Sequence, residues 1–146
     1  MVVEYRTIKK LLEHLENKLN KIEVMDFTIE ELTGDEDVQD ILDRRLHLAI
    51  EDCISIASHI AAALSLPGRE KASDVFLLLG EHGIISDKLS KTFAKEVVGF
   101  RNILVHEYID IDYKLVFKSY KKDLEDIREF SKAVITFLEK NPQLTK

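Results

Sequence analysis

The residue types best suited to chemistry are concentrated in one segment, 101–108, which reads Arg-Asn-Ile-Leu-Val-His-Glu-Tyr. Arg101 carries a permanent charge and can donate a fork of two hydrogen bonds to a phosphate group. His106 can accept or donate a proton near neutral pH. Together they suit phosphodiester cleavage in RNA, where a ribose hydroxyl loses a proton and the leaving oxygen gains one.

The same residues also have an ordinary structural explanation. Cations near the C-terminus of a helix are favoured by the helix dipole, and a tyrosine such as Tyr108 is a common partly buried anchor. No two of the five histidines lie three or four residues apart, so the sequence predicts no metal site on a helix face and no cofactor.

Helical spacing separates the two key side chains of the segment. Successive residues advance by about 100° around a helix, so Arg101 and His106 lie about 140° apart. Either the helix end bends, or two copies face each other across a twofold axis and each supplies one side chain to a shared cleft. This spacing favours a homodimer. Asn102 shares the face of His106 and can support it by fixing the imidazole tautomer or by binding the substrate.

Composition limits the class of protein. The chain has 146 residues and a formal net charge of -6, which predicts one domain spanning 1–146 and no broad basic surface for duplex DNA. Its single cysteine, Cys53, is expected to be a buried apolar residue in a reducing compartment. No apolar run approaches the ~18 residues that span a membrane, and the N-terminus lacks the apolar block of a signal peptide. We therefore expect a cytoplasmic protein with no membrane partner.

Apolar residues recur at helical spacing along most of the chain, and Gly and Pro number only 5 and 2. The sequence predicts an all-α, up-and-down bundle of four long helices and one short helix, with a break over 26–36. Ser86 or Asp87 is expected to cap the helix that ends at the motif. The predicted helical segments are 8–22, 42–64, about 73–82, 87–105 and about 112–140.

The pattern Arg101-polar-x-x-x-His106 near the end of a late helix resembles the HEPN superfamily, and Tyr108, two residues after the histidine, narrows the resemblance to the HepT type. Two upstream segments, 44–64 and 72–86, are similar to that family in order and spacing. The resemblance extends over about residues 5–140.

The resemblance implies a homodimeric RNA endonuclease that acts as the toxin of a type VII toxin–antitoxin pair. Arg101 and His106 would be catalytic in a metal-independent site at the dimer cleft, with Asn102 in support. The antitoxin partner would be a nucleotidyltransferase of the MntA type, which transfers AMP from ATP onto Tyr108 and so blocks the cleft. Whether the RNA substrate is messenger or transfer RNA stays open.

An alternative function is a non-catalytic HEPN dimer that binds a nucleotide or a nucleotidyltransferase partner. The acidic balance of the chain favours this alternative mildly, because a general ribonuclease benefits from a basic cleft. Several further basic residues could extend the site, but each is expected to be an ordinary solvated or packed residue. These are Arg44, Arg45, His47, His59, Lys118, Lys121 and Lys122.

Overall fold

A computed structural model describes residues 5–67, 71–105 and 111–145, with side chains up to Gln143. These ranges contain helices and connecting turns and no strand, which confirms the all-α prediction. The helical elements are α1 (Tyr5–Glu23), α2 (Ile29–Gly34), α3 (Glu36–Ala63), α4 (Ala72–Glu81), α5 (Asp87–Thr92), a π-helical turn (Phe93–Val97), α6 (Val98–Val105), α7 (Tyr113–Lys140) and a final 3-10 turn (Pro142–Thr145).

Side-chain caps fix two of the predicted helix starts. The Ser86 hydroxyl accepts a hydrogen bond from the Leu89 N–H at 3.1 Å, so Ser86, rather than Asp87, caps α5. The Asp112 carboxylate accepts from the Lys114 N–H at 3.1 Å and caps α7. Each cap pairs an amide that has no partner within its own helix.

The predicted break over 26–36 is wrong in part, because it contains α2. The Thr28 hydroxyl accepts a hydrogen bond from the Glu31 N–H at 3.1 Å, and the Glu31 carboxylate accepts from the Thr28 N–H at 3.3 Å. This reciprocal capping box stabilises one short helix, whose buried residue is Leu32.

The long helices α1 and α3 run antiparallel, as their cross-links show. The Lys18 Nζ lies 2.5 Å from the Asp52 Oδ2. Three residues later in α1, the Lys21 carbonyl accepts a hydrogen bond from Arg45, which is earlier in α3, at 3.0 Å. Residue numbers therefore rise along α1 as they fall along the facing α3. Arg128 of α7 joins α7 to the end of α1, through Glu23 at 2.7 Å.

The central element is α3, which packs against α1, α4, α6 and α7. By length and composition alone α3 could cross a bilayer, but 50% of its most apolar stretch is buried inside the protein. Its apolar character is accounted for by this central position. Cys53 is fully buried there, as predicted, and burial raises the pKa of its thiol.

The segment leading to α6 is held by an aromatic cluster. The ring of Phe93 lies 4.8 Å from that of Phe76 and 5.0 Å from that of Phe130, between ring centroids. Phe93 opens the π-helical turn, which interrupts the predicted regular helix over 87–105. The prediction of an uninterrupted long helix is therefore wrong at this turn, which adds one residue to the helix and is separated from the motif by three residues, 98–100.

Candidate functional site

The first five residues of the motif, 101–105, form the last part of α6. Leu104 is 6% exposed and attaches this end of the helix to the core. Arg101 is partly buried and Asn102 is exposed. The predicted site residues His106 and Tyr108 lie outside the described residues, so the structure places two of the four predicted site residues.

Arg101 turns toward α3 and meets a carboxylate. Its Nε lies 3.3 Å from the Glu51 Oε1, and the arginine side chain is 19% exposed. The Nε atom is shielded from solvent and has no hydrogen-bond partner among the described residues, so its contact with Glu51 is an ion pair without a hydrogen bond. Among the described residues no protein group hydrogen-bonds the two terminal nitrogens of the guanidinium, which leaves them able to bind a phosphate.

The same carboxylate oxygen has a second side-chain nitrogen nearby. The His47 Nε2, one helical turn earlier on α3, lies 3.4 Å from the Glu51 Oε1. Glu51 thus brings Arg101 of α6 and His47 of α3 into one cluster. His47, which was expected to be an ordinary surface or packed residue, is therefore part of the arrangement around Arg101.

A cavity of about 220 Å³ continues this cluster toward the start of α3. Arg44 lines it and is exposed, whereas the neighbouring Arg45 donates its hydrogen bond to the α1 backbone. The two adjacent arginines therefore have different roles, and only Arg44 is placed to extend a phosphate site. The lining residues are Asp40, Asp43, Arg44, His47 and Leu104.

The electrostatics of this region are mixed. Asp40, Asp43 and Glu51 bring three carboxylates to the cavity and its rim. The hydroxyl of Tyr113, at the start of α7, donates a hydrogen bond to the Asp43 carboxylate and so joins α7 to the cavity wall. Such a surface does not attract nucleic acid along its whole length, so a phosphate site here would depend on individual cations such as Arg101.

The other predicted candidates lie elsewhere or have partners. Lys122 contacts Asp126 at 3.1 Å and Glu96 at 3.5 Å, so the predicted basic cluster of α7 is partly neutralised. Lys118 and Lys121 are exposed. His59, three turns beyond His47 on α3, does not line the cavity. Within 5–67, 71–105 and 111–145, no three His, Cys, Asp or Glu side chains are grouped to hold a metal ion.

Sequence reasoning missed Glu51. Its only signal is the helical spacing of Arg44, His47 and Glu51, which puts these polar residues on one face of an otherwise apolar helix. That spacing does not reveal which helix packs against the face. The contact between Glu51 and Arg101 joins residues 50 positions apart and depends on the packing of α6 against α3.

Comparison with known proteins places the chain in one family. The model of the family described as "Ribonuclease HepT-like" matches residues 8–134. The mRNA nuclease HepT of Shewanella oneidensis is 34% identical over 93 residues, which are 64% of this chain and 69% of the relative. The tRNA nuclease HepT of Aphanizomenon flos-aquae is 29% identical over 147 residues, covering 97% of this chain and 95% of the relative.

Solved structures agree with the sequence comparisons. The tri-AMPylated Shewanella oneidensis HEPN toxin, in complex with its MNT antitoxin, matches with a TM-score of 0.81 and 27% identity, over 89% of this chain and 97% of that one. YutE of Bacillus subtilis, a cytosolic protein of unknown function, matches with a TM-score of 0.83 over 100% and 97%, but at 19% identity it supports the fold alone. The sequence resemblance is thereby confirmed: this chain belongs to the HepT-like ribonuclease family.

Proposed function

We propose that this protein is a cytoplasmic RNA endonuclease toxin of a toxin–antitoxin pair, with Arg101 and His106 as its catalytic residues. The observation that carries the proposal is the placement of Arg101, partly buried and held by a carboxylate, with its terminal nitrogens left for a substrate phosphate. In the reaction, His106 would move the proton of a ribose 2′-hydroxyl or of the leaving oxygen, and Arg101 would stabilise the charge that grows on the phosphate. No metal takes part.

The catalytic test is RNA cleavage by purified wild-type protein, Arg101→Ala and His106→Ala. Arg6→Ala is a matched control, because Arg6 is an exposed arginine on α1. We expect both motif variants to lose at least about a hundredfold in rate, the control to keep wild-type activity, and a metal chelator to have no effect. Cleavage by Arg101→Ala at the wild-type rate would overturn the proposal. Parallel assays with messenger and transfer RNA identify the substrate class.

The proposal includes a homodimer, supported by exposed apolar residues around the site. Ile103 and Val105 of α6 are 56% and 41% exposed and flank the buried Leu104. Leu115, at the start of α7, is 59% exposed. A second copy that covers these residues would bring two motif helices together at one cleft.

The dimer is tested by sedimentation of wild type and Ile103→Glu. We expect a dimer for wild type and a monomer without nuclease activity for the variant, since a charge placed in a buried apolar contact is strongly unfavourable. Val24→Glu is the control, because Val24 is 78% exposed just after α1 and belongs to neither α6 nor α7. A dimer that survives Ile103→Glu would place the interface elsewhere.

Tyr108 is the proposed switch. Its phenolic oxygen would attack the α-phosphate of ATP in the active site of an MntA-type nucleotidyltransferase, forming a P–O bond to AMP and releasing pyrophosphate and the phenolic proton. The attached nucleotide adds negative charge and bulk at the motif and would exclude RNA. Intact mass after co-expression with the antitoxin should show AMP adducts on wild type and on Tyr5→Phe, and none on Tyr108→Phe. Adducts that persist in Tyr108→Phe would refute this assignment.

The second candidate function is a non-catalytic HEPN dimer that binds a nucleotide or a nucleotidyltransferase partner. The carboxylates of Asp40, Asp43 and Glu51 near Arg101 favour it, since they oppose a long polyanion. Binding to the antitoxin with no cleavage of any RNA above the Arg101→Ala background would support this second function.

A further inference from the structure

The Glu51 carboxylate contacts two side chains near the site but has no role in the proposed reaction. One oxygen, Oε1, lies 3.3 Å from the Arg101 Nε and 3.4 Å from the His47 Nε2. The Glu51 side chain is 41% exposed, so it stands at the rim of the site rather than in the core. One carboxylate oxygen therefore has the side-chain nitrogens of two basic residues, Arg101 and His47, within 3.4 Å.

The contact engages the side of the guanidinium that a phosphate does not need. Bidentate binding of a phosphate can use the two terminal nitrogens of arginine, while a carboxylate at Nε restrains rotation of the group about the end of its side chain. His47 contacts the same carboxylate oxygen and helps to hold it there. Within the described ranges nothing hydrogen-bonds the two terminal nitrogens, so the restraint leaves them available to a phosphate.

The scaffold behind Glu51 is rigid enough to transmit this restraint. Its neighbours on α3 include Ile50 and Ile54, which are 1% and 8% exposed, and Ala49, which is fully buried. Functional groups carried by a packed helix hold their geometry better than groups carried by a loop. Arg101 stands at the other side of the contact, three residues before the buried Leu104.

We propose that Glu51 is a positioning residue, which orients the Arg101 guanidinium so that its terminal nitrogens face the substrate phosphate. The proposal rests on the catalytic role of Arg101 proposed above. The physical gain is pre-organisation, because an arginine already aimed at the phosphate needs no reorientation as charge develops. Glu51 does not touch the RNA.

The test compares the steady-state kinetics of RNA cleavage by wild type, Glu51→Gln and Glu51→Ala. We expect kcat to fall about tenfold or more in Glu51→Ala and less in Glu51→Gln, whose amide oxygen can still face Nε. KM should stay unchanged or fall, since each variant removes a negative charge beside the RNA. Glu125→Gln is the control, because Glu125 is an exposed glutamate on α7 and should behave as wild type. Simple loss of structure would instead lower thermal stability and raise KM.

A second readout follows the arginine directly. The Nε–H resonance of Arg101, assigned by its absence from the Arg101→Lys spectrum, should shift and broaden in Glu51→Ala but not in Glu125→Gln. An unchanged resonance, or a kcat in Glu51→Gln equal to or above that of wild type, would overturn the positioning role. If Glu51→Ala cleaves normally while Arg101→Ala is inactive, only the positioning role fails. If Arg101→Ala cleaves normally, the proposed function itself fails.

Discussion

Asp123, a buried carboxylic acid on α7, gives the protein a pH-dependent stability that can be worked out from the structure. The residue is 5% exposed, and burial, reinforced by the neighbouring Asp126 carboxylate, raises its pKa from 3.8 to about 7. Lys122 opposes this rise, but its ammonium already contacts Asp126 at 3.1 Å and Glu96 at 3.5 Å. Asp123 therefore keeps its proton in the folded protein over a range where the unfolded chain has lost it.

The sign of the effect follows from the direction of the shift. Because the folded protein holds the Asp123 proton more tightly, the free energy of unfolding falls as pH rises from about 4 to about 7 and then stays level. Between pH 5 and pH 8 this shift corresponds to about 3 kcal/mol at most. Water reaches the edge of the carboxyl group and screens part of the effect, so we expect about 1.5 kcal/mol.

Urea unfolding of wild type and Asp123→Asn at pH 5 and pH 8 measures this contribution. The free energy of unfolding of the variant, relative to wild type, should rise by about 1.5 kcal/mol between the two pH values, because the amide cannot ionise. Any pH dependence that the two proteins share cancels in the difference. Glu125→Gln, which changes an exposed carboxylate on the same helix, should follow wild type. A difference between Asp123→Asn and wild type that does not change with pH would refute the reasoning.

Three further perturbations test the packing of the bundle by urea unfolding. A Cβ added at Gly80 would overlap the Ser90 side chain, so Gly80→Ala should lower the free energy of unfolding by about 2 kcal/mol. Adding Ser90→Gly should restore part of this loss. A fully stable Gly80→Ala variant would contradict the close approach of α4 and α5. Arg128→Ala breaks contacts to Glu23 and Glu16 of α1 at 2.7 and 3.3 Å. It should lower the free energy of unfolding by about 1 kcal/mol at low salt and by less in 1 M NaCl. A loss that does not depend on salt would exclude an ionic origin. Lys18→Met removes the partner of the Asp52 carboxylate, which is 12% exposed, and should lower the free energy of unfolding by about 2 kcal/mol. Adding Asp52→Asn to the same chain should recover most of that loss. If nothing is recovered, Lys18 acts through packing alone.

Much of the fold follows from local sequence signals. The spacing of Leu15, Leu19 and Ile22 predicts a buried helical face, and all three are fully buried. Ser86 and Asp112 mark helix starts because their side chains can pair with free amides of the first turn. These features depend on neighbours within a few residues and can therefore be read without the tertiary structure.

The features that the sequence analysis missed are of two kinds. The capping box of Thr28 and Glu31 is a local signal that was overlooked within a stretch interpreted as a break. The contact of Glu51 with Arg101 is of another kind, since it depends on how α3 and α6 pack and no local pattern encodes it. For the same reason, His47 could be assigned to the site only once that packing was known.

The π-helical turn at Phe93–Val97 has a consequence for how the motif could be altered or transplanted. One extra residue rotates everything beyond it by about 100° relative to the preceding helix. The direction in which Arg101 leaves the helix is therefore set by the turn before it, and not by the order of residues in the motif. Shortening this turn by one residue would preserve all eight letters of 101–108 and still swing the arginine away from α3. A designer who moves this motif into another helix must therefore move the π-helical turn with it.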